Sequence, residues 1–482
     1  MPGFFVENFG CRATQADGAA LERQFEDQGL ARVSSISNAS VVVLNTCTVT
    51  AGADQDARAA IRRVKRQNPD ARIVVTGCYA QRAPDEVAAL PGVSLVVGNS
   101  HKHQLAEIAI HGATQTRSFI PLGSLSQRPT TNDQRPIFVT DIFAHTELLA
   151  APVFDAANER TRPNLKIQDG CDNRCSFCVI PYVRGQSRSL TADRIIREVN
   201  ALVDSGYREV VVSGINLGRW GRDLTAGTPH VGTAALGRPG EQSSPEFPHE
   251  PLRKPTFVNL LRAILAGTSL EKLRISSVEP MDWSDDLIRL VASSPRIAKH
   301  AHVPMQSGSD AVLRRMHRKY RPWHYRGKIE KIHAAMPQAA IGADVMVGFP
   351  GETDAEFEET RKMIEDLPFT YLHVFTYSAR PGTPAANMKH QVPVHIARER
   401  NRILRELASD KKLAFMRGFI GKSVEAITLN VGGSDEGGEF TEALSDNYLK
   451  MRLLGRHEGN TWITAHIVTV TSGSLIGELP VR

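Results

Sequence analysis

Hydrophobic and polar residues follow two different patterns in different regions of this chain. In the first 110 residues, and again between residues 165 and 376, short apolar runs are each followed by a stretch with helical spacing. Repeated strand–helix units predict parallel sheets that are covered by helices. After residue 418, short alternating strands and glycine-rich turns replace this pattern. The chain is therefore predicted to be an α/β protein with two parallel α/β regions and a small C-terminal antiparallel β-barrel.

The first predicted domain covers residues 1–112 and has the pattern of an open parallel α/β sheet. Its predicted strands and helices alternate along the chain, with strands at 4–6, 41–44, 72–76 and 93–97 and helices at 19–28, 51–67, 86–90 and 103–110. The periodicity fades over residues 113–162. We interpret that stretch as a connecting segment with an edge strand near 137–142.

The second predicted domain, residues 163–395, contains six strands. This number is too small to close the usual eight-stranded barrel, so we expect a partial (β/α)6 barrel. Its predicted strands are 165–168, 209–213, 272–276, 299–304, 341–347 and 371–376. An open barrel can admit a large substrate at the mouth formed by the strand ends. Residues 225–255 lack periodicity and predict a flexible insertion, and a charged helix at 396–417 leads to the barrel domain at 418–482.

Composition restricts the function only weakly. The 482 residues include 58 Lys and Arg against 52 Asp and Glu, a net charge of +6 that is compatible with a polyanionic partner. The first residues lack the features of a signal peptide, and no apolar stretch is long enough to span a bilayer. We therefore expect a cytoplasmic protein without a membrane partner, in a compartment that keeps its thiols reduced.

Three cysteines lie close together after the first strand of the second domain. Cys171, Cys175 and Cys178 have the spacing C-x3-C-x2-C, which allows three thiolates to converge on one metal centre. Closed zinc sites and ferredoxin-type [4Fe–4S] clusters use four protein ligands, and no fourth cysteine follows near this loop. Three thiolates on a four-iron cluster would leave one iron open to a small molecule. The alternatives are scattered core thiols or an incomplete zinc knuckle.

The other three cysteines, Cys11, Cys47 and Cys78, each follow a predicted strand of the first domain. Ligands gather at the carboxyl ends of the strands in open α/β sheets, so these thiols can meet although they are far apart in sequence. The alternative is three independent buried thiols. Because the six cysteines divide into two triplets with none left over, we infer a second cluster with one open iron.

Several motifs resemble a known family. The cysteine loop, with Phe177 before its last cysteine, resembles the signature of the radical S-adenosylmethionine (SAM) enzymes. Further segments resemble the radical SAM methylthiotransferases over nearly the whole chain: 45–50 and 77–81 in the N-terminal domain, 304–310, 348–353 and 375–384 in the core, and 444–448, which is similar to the TRAM RNA-binding module. Segments 166–171 and 184–189 are most similar to the MtaB group.

This resemblance implies an activity. The MtaB group methylthiolates C2 of N6-threonylcarbamoyladenosine at position 37 of tRNA, whereas the MiaB group acts on N6-isopentenyladenosine there. A third group, RimO, modifies an aspartate of a ribosomal protein. The insertion at 225–255 departs from the compact family pattern. A non-enzymatic alternative is an iron–sulfur electron carrier with an RNA-binding tail, but open irons would not help a carrier.

The resemblance also implies cofactors and partners. Two [4Fe–4S] clusters and SAM are expected, with one SAM methylating a sulfur held at the Cys11/Cys47/Cys78 cluster. A second SAM at the Cys171/Cys175/Cys178 cluster would supply the radical. The expected partners are tRNA and an electron donor of the flavodoxin or ferredoxin type.

Candidate binding residues lie at predicted strand ends and in a basic element. We expect SAM contacts from five residues, each of which could instead be a turn or helix-cap residue: Ser213, Gly214, Ser277, Glu279 and Gln306. Arg184 and Arg188 are predicted to bind tRNA phosphates. None of the 16 histidines has a metal-type partner at helical spacing, so none is given a catalytic role.

Overall fold

The structure, a computed structural model, describes residues 2–10, 12–112, 135–145, 148, 161–224, 255–435 and 438–479. Cys11 and residues 225–254 of the predicted insertion lie outside the described residues. The fold class predicted from the hydrophobic pattern is confirmed: parallel α/β sheets are followed by a small closed β-barrel.

The N-terminal region is a six-stranded, fully parallel sheet. Its strands are β1 (Gly3–Asn8), β2 (Ala31–Arg32), β3 (Val41–Thr46), β4 (Arg72–Gly77), β5 (Val93–Gly98) and β6 (Ile137–Phe138), in the order β2-β1-β3-β4-β5-β6. The helices are α1 (Arg12–Asp27), α2 (Ala51–Gln67), α3 (Cys78–Arg82), α4 (Pro84–Ala88) and α5 (Leu105–His111). Strands β3 and β4 are continuously apolar because helices cover both faces: Val42 and Leu44 pack on the side of α2, and Val41 and Val43 on the side of α1 and α5.

The central region is the predicted partial barrel. Its strands are β7 (Asn164–Asp169), β8 (Arg188–Ser189), β9 (Glu209–Gly214), β10 (Lys272–Ile275), β11 (His300–His302), β12 (Ala340–Val347) and β13 (Tyr371–Thr376). The parallel sheets β10-β9-β7 and β11-β12-β13 are joined by short bridges such as Ser277 to His302, which gives six parallel strands. Strand β8 extends the β7 edge in the antiparallel direction.

Eight helices accompany this region in the described part of the chain. They are α6 (Ile180–Arg184), α7 (Ala192–Asp204), α8 (Phe257–Gly267), α9 (Asp285–Ser293), α10 (Asp310–Arg315), α11 (Pro322–Ala335), α12 (Asp354–Asp366) and α13 (Val394–Arg417). Alternate strand residues such as Leu165, Val210 and Ile341 pack in the hydrophobic core with these helices. The opposite strand face, which lines the inside of the barrel, carries buried polar side chains such as Gln168 and Arg274.

The C-terminal region is a closed barrel of five strands in the order β14-β15-β16-β18-β17. They are β14 (Ser423–Asp435), β15 (Gly438–Ser445), β16 (Lys450–Leu454), β17 (Trp462–Val470) and β18 (Leu475–Glu478). Four pairings are antiparallel as expected, but β16 and β18 pair in parallel. A closed ring with an odd number of strands cannot alternate direction throughout, so at least one pair must be parallel. Arg274 joins this barrel to the central region by donating to the carbonyls of Ser445 and Asp446 at 3.3 and 3.0 Å.

No helix in the described part of the chain is both long enough and apolar enough to span a membrane.

Candidate cluster sites and substrate cavity

The loop from Cys171 to Cys178 is held in a tight conformation. Gly170, at the end of β7, has φ +71°, and a Cβ atom there would lie 1.9 Å from the carbonyl oxygen of Gln186. The position therefore requires glycine. Two backbone hydrogen bonds close the loop: the Cys171 amide donates to Gly185 at 3.1 Å, and the Cys178 amide donates to Cys175 at 3.1 Å.

The three thiols influence one another, as expected of ligands for one metal centre. Burial, reinforced by the negative charge of Cys175, raises the pKa of the Cys178 thiol to about 12. The same two causes raise the pKa of Cys171. Metal ligation requires deprotonated sulfur, so binding of a cluster would release protons from these thiols.

Two side chains from distant loops, one after β9 and one after α10, donate to the sulfurs of this loop. Arg318 Nη1 lies 3.3 Å from Cys175 Sγ, and Asn216 Nδ2 lies 3.7 Å from Cys171 Sγ. Asn216 is held in place because its backbone N–H donates to Gln168 Oε1 at 2.7 Å. Hydrogen bonds to ligand sulfurs are a normal feature of iron–sulfur sites. The donor set therefore fits a cluster, and both donors were missed from the sequence because they are distant from the loop along the chain.

Two of the predicted SAM-binding residues, Glu279 and Gln306, lie next to this loop. The Glu279 carboxylate pairs with Arg318, the arginine that also reaches Cys175. Gln306 shares a cavity with Cys178, and its φ of +65° is unusual for a residue other than glycine. Their SAM contacts remain predictions.

The other predicted SAM residues are at the ends of β9 and β10. Gly214 ends β9, and a Cβ there would lie 2.9 Å from Gln168 Oε1. Ser213 is buried, and its Oγ finds no hydrogen-bond partner among the described residues. Ser277 Oγ is bonded to Nδ1 of His302 at 2.6 Å. These three contacts with SAM also stay predictions.

The second cysteine triplet is placed by the N-terminal sheet. Cys47 follows β3, and Cys78 is the first residue of α3, directly after the neighbouring strand β4. Gly10 has φ +100°, and a Cβ there would lie 2.9 Å from Cys47 Sγ. The residue before Cys11 thus lies against Cys47, as a shared site requires. Asn99 Nδ2 approaches Cys78 Sγ at 3.6 Å, so this site also has a donor directed at sulfur.

Helix α6 connects the two cysteine sites. It begins two residues after Cys178, and Cys78 packs against its residue Val183 and against Val179 just before it. Asn99, the donor near Cys78, also donates to the carbonyl of Val183 at 2.7 Å. The two sites are therefore held side by side across one short helix.

A buried group of five charges joins the same two regions. Asp17 on α1 pairs with Lys102 at 3.0 Å, with Arg184 at 3.0 Å and with Lys166, while Asp169 pairs with Lys166 at 2.9 Å and Arg184 at 3.0 Å. Burial alone would raise the pKa of Asp17, but the surrounding cations lower it below its usual value. The pKa of Asp169 is also lowered well below its usual value, because Arg184 and Lys166 outweigh the effect of burial.

This arrangement corrects one prediction. Arg184 is only 2% exposed and donates to both Asp17 and Asp169, so its guanidinium cannot reach a tRNA phosphate. The expectation that it binds RNA is wrong, because its charge is used between domains. Arg188 is half-buried and donates to the carbonyls of Arg184 at 2.7 Å and His145 at 3.2 Å, and its RNA contact stays a prediction.

A cavity of about 290 Å³ opens beside the cysteine loop. Its walls come from the loop between β3 and α2, the cysteine loop and strands β12 and β13, and they are mostly apolar. The lining residues include Val49, Thr50, Phe177, Cys178, Ile180, Gln306, Asp344, Met346, Phe375 and Tyr377. A flat ring can therefore enter between the two domains and approach the Cys178 end of the loop.

A polar group that the sequence did not indicate adjoins this cavity through Asp344. His302, Asp344 and His373 stand on the adjacent strands β11, β12 and β13, and their ligand atoms all lie within 4.8 Å of one another. Helical spacing could not reveal them, because the strand register brings them together: His302 pairs with Gly342, and Asp344 pairs with His373.

Comparisons with known proteins agree with this architecture. Residues 3–98 match the model of the Uncharacterized protein family UPF0004, and residues 165–364 match that of the Radical SAM superfamily. Among solved structures, the radical S-adenosylmethionine methyltransferase TsrM from Kitasatospora setae is similar in fold. It has a TM-score of 0.52 and 14% identity, with 80% of this chain and 77% of that chain covered.

Curated relatives are similar over nearly the full length. The threonylcarbamoyladenosine tRNA methylthiotransferases MtaB of Bacillus subtilis and Aquifex aeolicus are each 34% identical, covering 93% and 94% of this chain and 90% and 97% of their own. The tRNA-2-methylthio-N(6)-dimethylallyladenosine synthase of Nocardia farcinica is 32% identical, covering 99% of this chain and 89% of its own. The chain therefore belongs to the radical SAM methylthiotransferase family.

Proposed function

We propose that this enzyme methylthiolates C2 of N6-threonylcarbamoyladenosine at position 37 of tRNA. The observation that carries the proposal is the pair of cysteine sites held side by side by helix α6, with one cavity opening beside them. The relatives whose names specify threonylcarbamoyladenosine support the substrate. A two-site arrangement suits a reaction that must both activate an unreactive carbon and deliver a methylthio group.

The cysteines divide into two ligand sets. Cys171, Cys175 and Cys178 would hold the [4Fe–4S] cluster that binds SAM, and Cys47 and Cys78 would hold the second cluster together with Cys11. When bound, these clusters and SAM supply the radical, the sulfur and the methyl group.

The chain's own residues position and shield these groups. Arg318 and Asn216 stabilise negative charge on the first sulfur set, and Asn99 is placed to do so at Cys78. The apolar walls of the cavity exclude water from the reacting carbon. The predicted residues Ser213, Gly214, Ser277, Glu279 and Gln306 would orient SAM against the substrate.

The remaining partners follow from this activity. The tRNA would lie across the cavity mouth, with Arg188 and the C-terminal barrel near its phosphates. We propose an electron donor of the flavodoxin or ferredoxin type and a cytoplasmic location, where tRNA is modified. The boundaries proposed for the domains are 1–112, 163–395 and 418–482, with 113–162 and 396–417 as connections.

A second candidate substrate is N6-dimethylallyladenosine, because a relative named for that product is 32% identical over 99% of the chain. Nucleoside mass spectrometry of tRNA from a deletion strain separates the two candidates. Loss of the methylthio derivative of threonylcarbamoyladenosine, with the dimethylallyl derivative unchanged, is expected. The opposite pattern would replace the proposed substrate with the second candidate.

A direct assay tests the reaction class. The protein with both clusters, reduced and supplied with SAM, should form 5′-deoxyadenosine and methylthiolate tRNA that carries threonylcarbamoyladenosine. Reduced protein that forms no 5′-deoxyadenosine would contradict the radical mechanism.

A further inference from the structure

One residue of the mostly apolar cavity lining, Asp344, belongs to a polar group that adjoins the cavity inside the barrel. Asp344 lines the cavity together with Met346 and Phe375, and its carboxylate lies beside the imidazoles of His302 and His373. His302 and His373 have ring centroids 5.6 Å apart. We refer to His302, Asp344 and His373 as the polar floor.

One nitrogen of the polar floor has an unused hydrogen-bonding capacity. His302 is 7% exposed, and its Nδ1 is fixed by Ser277 Oγ at 2.6 Å. Its Nε2 lies 3.4 Å from Asp344 Oδ1, yet it is buried and forms no hydrogen bond within the described part of the chain. A buried nitrogen left without a hydrogen bond is destabilising, so the position favours a ligand that supplies one.

The neighbouring groups make the floor adaptable to a ligand with both donors and acceptors. Asp344 can only accept when ionised, whereas each imidazole can present a donor or an acceptor according to its tautomer. His373 is exposed although it lies in the middle of β13, so its ring is accessible to a ligand. The floor therefore offers at least one acceptor and two adjustable positions.

We propose that the polar floor binds the substituent on N6 of the target adenosine and selects a hydrogen-bonding substituent over an apolar one. This inference rests on the proposed function and adds the residues that determine specificity. A threonylcarbamoyl group carries an N–H, carbonyl oxygens, a hydroxyl and a carboxylate, which can pair with the floor. A dimethylallyl group has none of these and would supply no hydrogen bond to Nε2 of His302 or to the Asp344 carboxylate.

The degree of discrimination between the two substrates depends on the hydrogen bonds that an apolar substituent cannot form. A site built to hydrogen-bond its substrate rejects an analogue without those groups far more strongly than an apolar pocket rejects an extra methylene. His373 is the residue to change, because it is exposed and does not belong to the packed core.

The test compares two substrates and three enzymes, all with both clusters assembled. The substrates are synthetic anticodon stem-loops with threonylcarbamoyladenosine or dimethylallyladenosine at position 37. The enzymes are the unmodified protein, His373→Phe and His373→Gln, with His395→Phe as a matched control because His395 is an exposed histidine on α13. Iron content and circular dichroism check that each variant is folded and loaded.

We expect His373→Phe to lower kcat/KM for the threonylcarbamoyl substrate by about 10–100-fold, chiefly through KM, which corresponds to one or two lost hydrogen bonds. The same change should raise relative activity on the dimethylallyl substrate, and His373→Gln should restore part of the preference. The control should leave the ratio of the two substrates unchanged.

The outcomes separate this inference from the proposed function. If the unmodified enzyme acts on neither substrate, the proposed function fails. If it methylthiolates the threonylcarbamoyl substrate and His373→Phe keeps the same substrate ratio, the polar floor does not determine specificity. One equivalent of a non-iron divalent metal that disappears in His373→Phe would also overturn the inference, because two histidines and a carboxylate would then be a metal site.

Discussion

The two cysteine sites are built in different ways. Cys171, Cys175 and Cys178 come from a single loop and are partly exposed, whereas Cys47 and Cys78 come from separate strand ends and are 5% and 2% exposed. The spacing within this loop brings its three thiols close together along the chain. The N-terminal site exists only when β1, β3 and β4 are in register. The ligand set of the loop therefore depends on local chain geometry, whereas the N-terminal ligand set depends on the whole sheet.

Replacing one cysteine ligand in each site should change the enzymatic activity most and should distinguish the two sites. Cys175→Ala should abolish both 5′-deoxyadenosine formation and methylthiolation, because it removes a ligand from the SAM-binding set. Cys47→Ala should keep SAM cleavage and lose methylthio transfer. Product analysis by mass spectrometry measures both activities. Equal loss of SAM cleavage in the two variants would show that the sites do not divide the work.

A second test disrupts the buried group of charges that joins the N-terminal and central regions. Asp17→Asn leaves Lys102, Lys166 and Arg184 with one carboxylate fewer in a buried setting. Removing one partner from a buried ionic group destabilises a protein by about 3–5 kcal/mol. Urea denaturation at pH 7 measures this loss in the free energy of unfolding. As a control, Asp285→Asn removes an exposed pair with Lys331 at 3.1 Å and should leave the free energy of unfolding nearly unchanged.

The same group predicts an acid dependence. The pKa of Asp17 is lower in the folded protein than its ordinary value of 3.8, so its contribution to stability is complete above that pH. The contribution is lost as the pH falls through the folded pKa. The stability difference between the unmodified protein and Asp17→Asn should therefore be constant from pH 7 to 5 and shrink below pH 4. A difference that grows on acidification would contradict this sign.

A smaller effect concerns the sulfurs of the loop. Arg318→Gln removes the positive charge 3.3 Å from Cys175 Sγ. Less positive charge near a cluster disfavours its reduced state, so the midpoint potential should become more negative. A redox titration followed by electron paramagnetic resonance measures the potential. Arg314→Gln, on the exposed side of α10, is the matched control, and a similar shift in both variants would exclude a specific role for Arg318.

The smallest expected effect is at the contact between the sites. Asn99→Ala removes the 2.7 Å hydrogen bond to Val183 and the donor near Cys78. One such bond contributes about 1 kcal/mol to stability, so the loss should be of that size. Denaturation measures it, and iron analysis should show a larger effect on the N-terminal cluster than on the loop cluster. Equal iron loss from both would mean that Asn99 supports the junction as a whole.

Much of the fold could be predicted because its signals are local. The apolar run over residues 41–44 and the helical period over 51–67 correspond to β3 and α2, and six strands were expected in the central region and are present. The parallel pair in the small barrel was not predicted, because strand direction there depends on how the ring closes. Arg184 was misassigned because an arginine in a basic element has the same sequence signal whether it faces solvent or a buried aspartate.

The α/β order of elements and the two cysteine triplets could be predicted from the amino-acid sequence, because periodicity and strand-end positions depend on neighbours along the chain. Which distant groups meet is set by the tertiary fold. Arg318 reaches Cys175 across 143 residues, and Lys166 reaches Asp17 across 149. His302, Asp344 and His373 meet through the register of three strands. Such contacts depend on packing and register, which no local pattern of residues specifies.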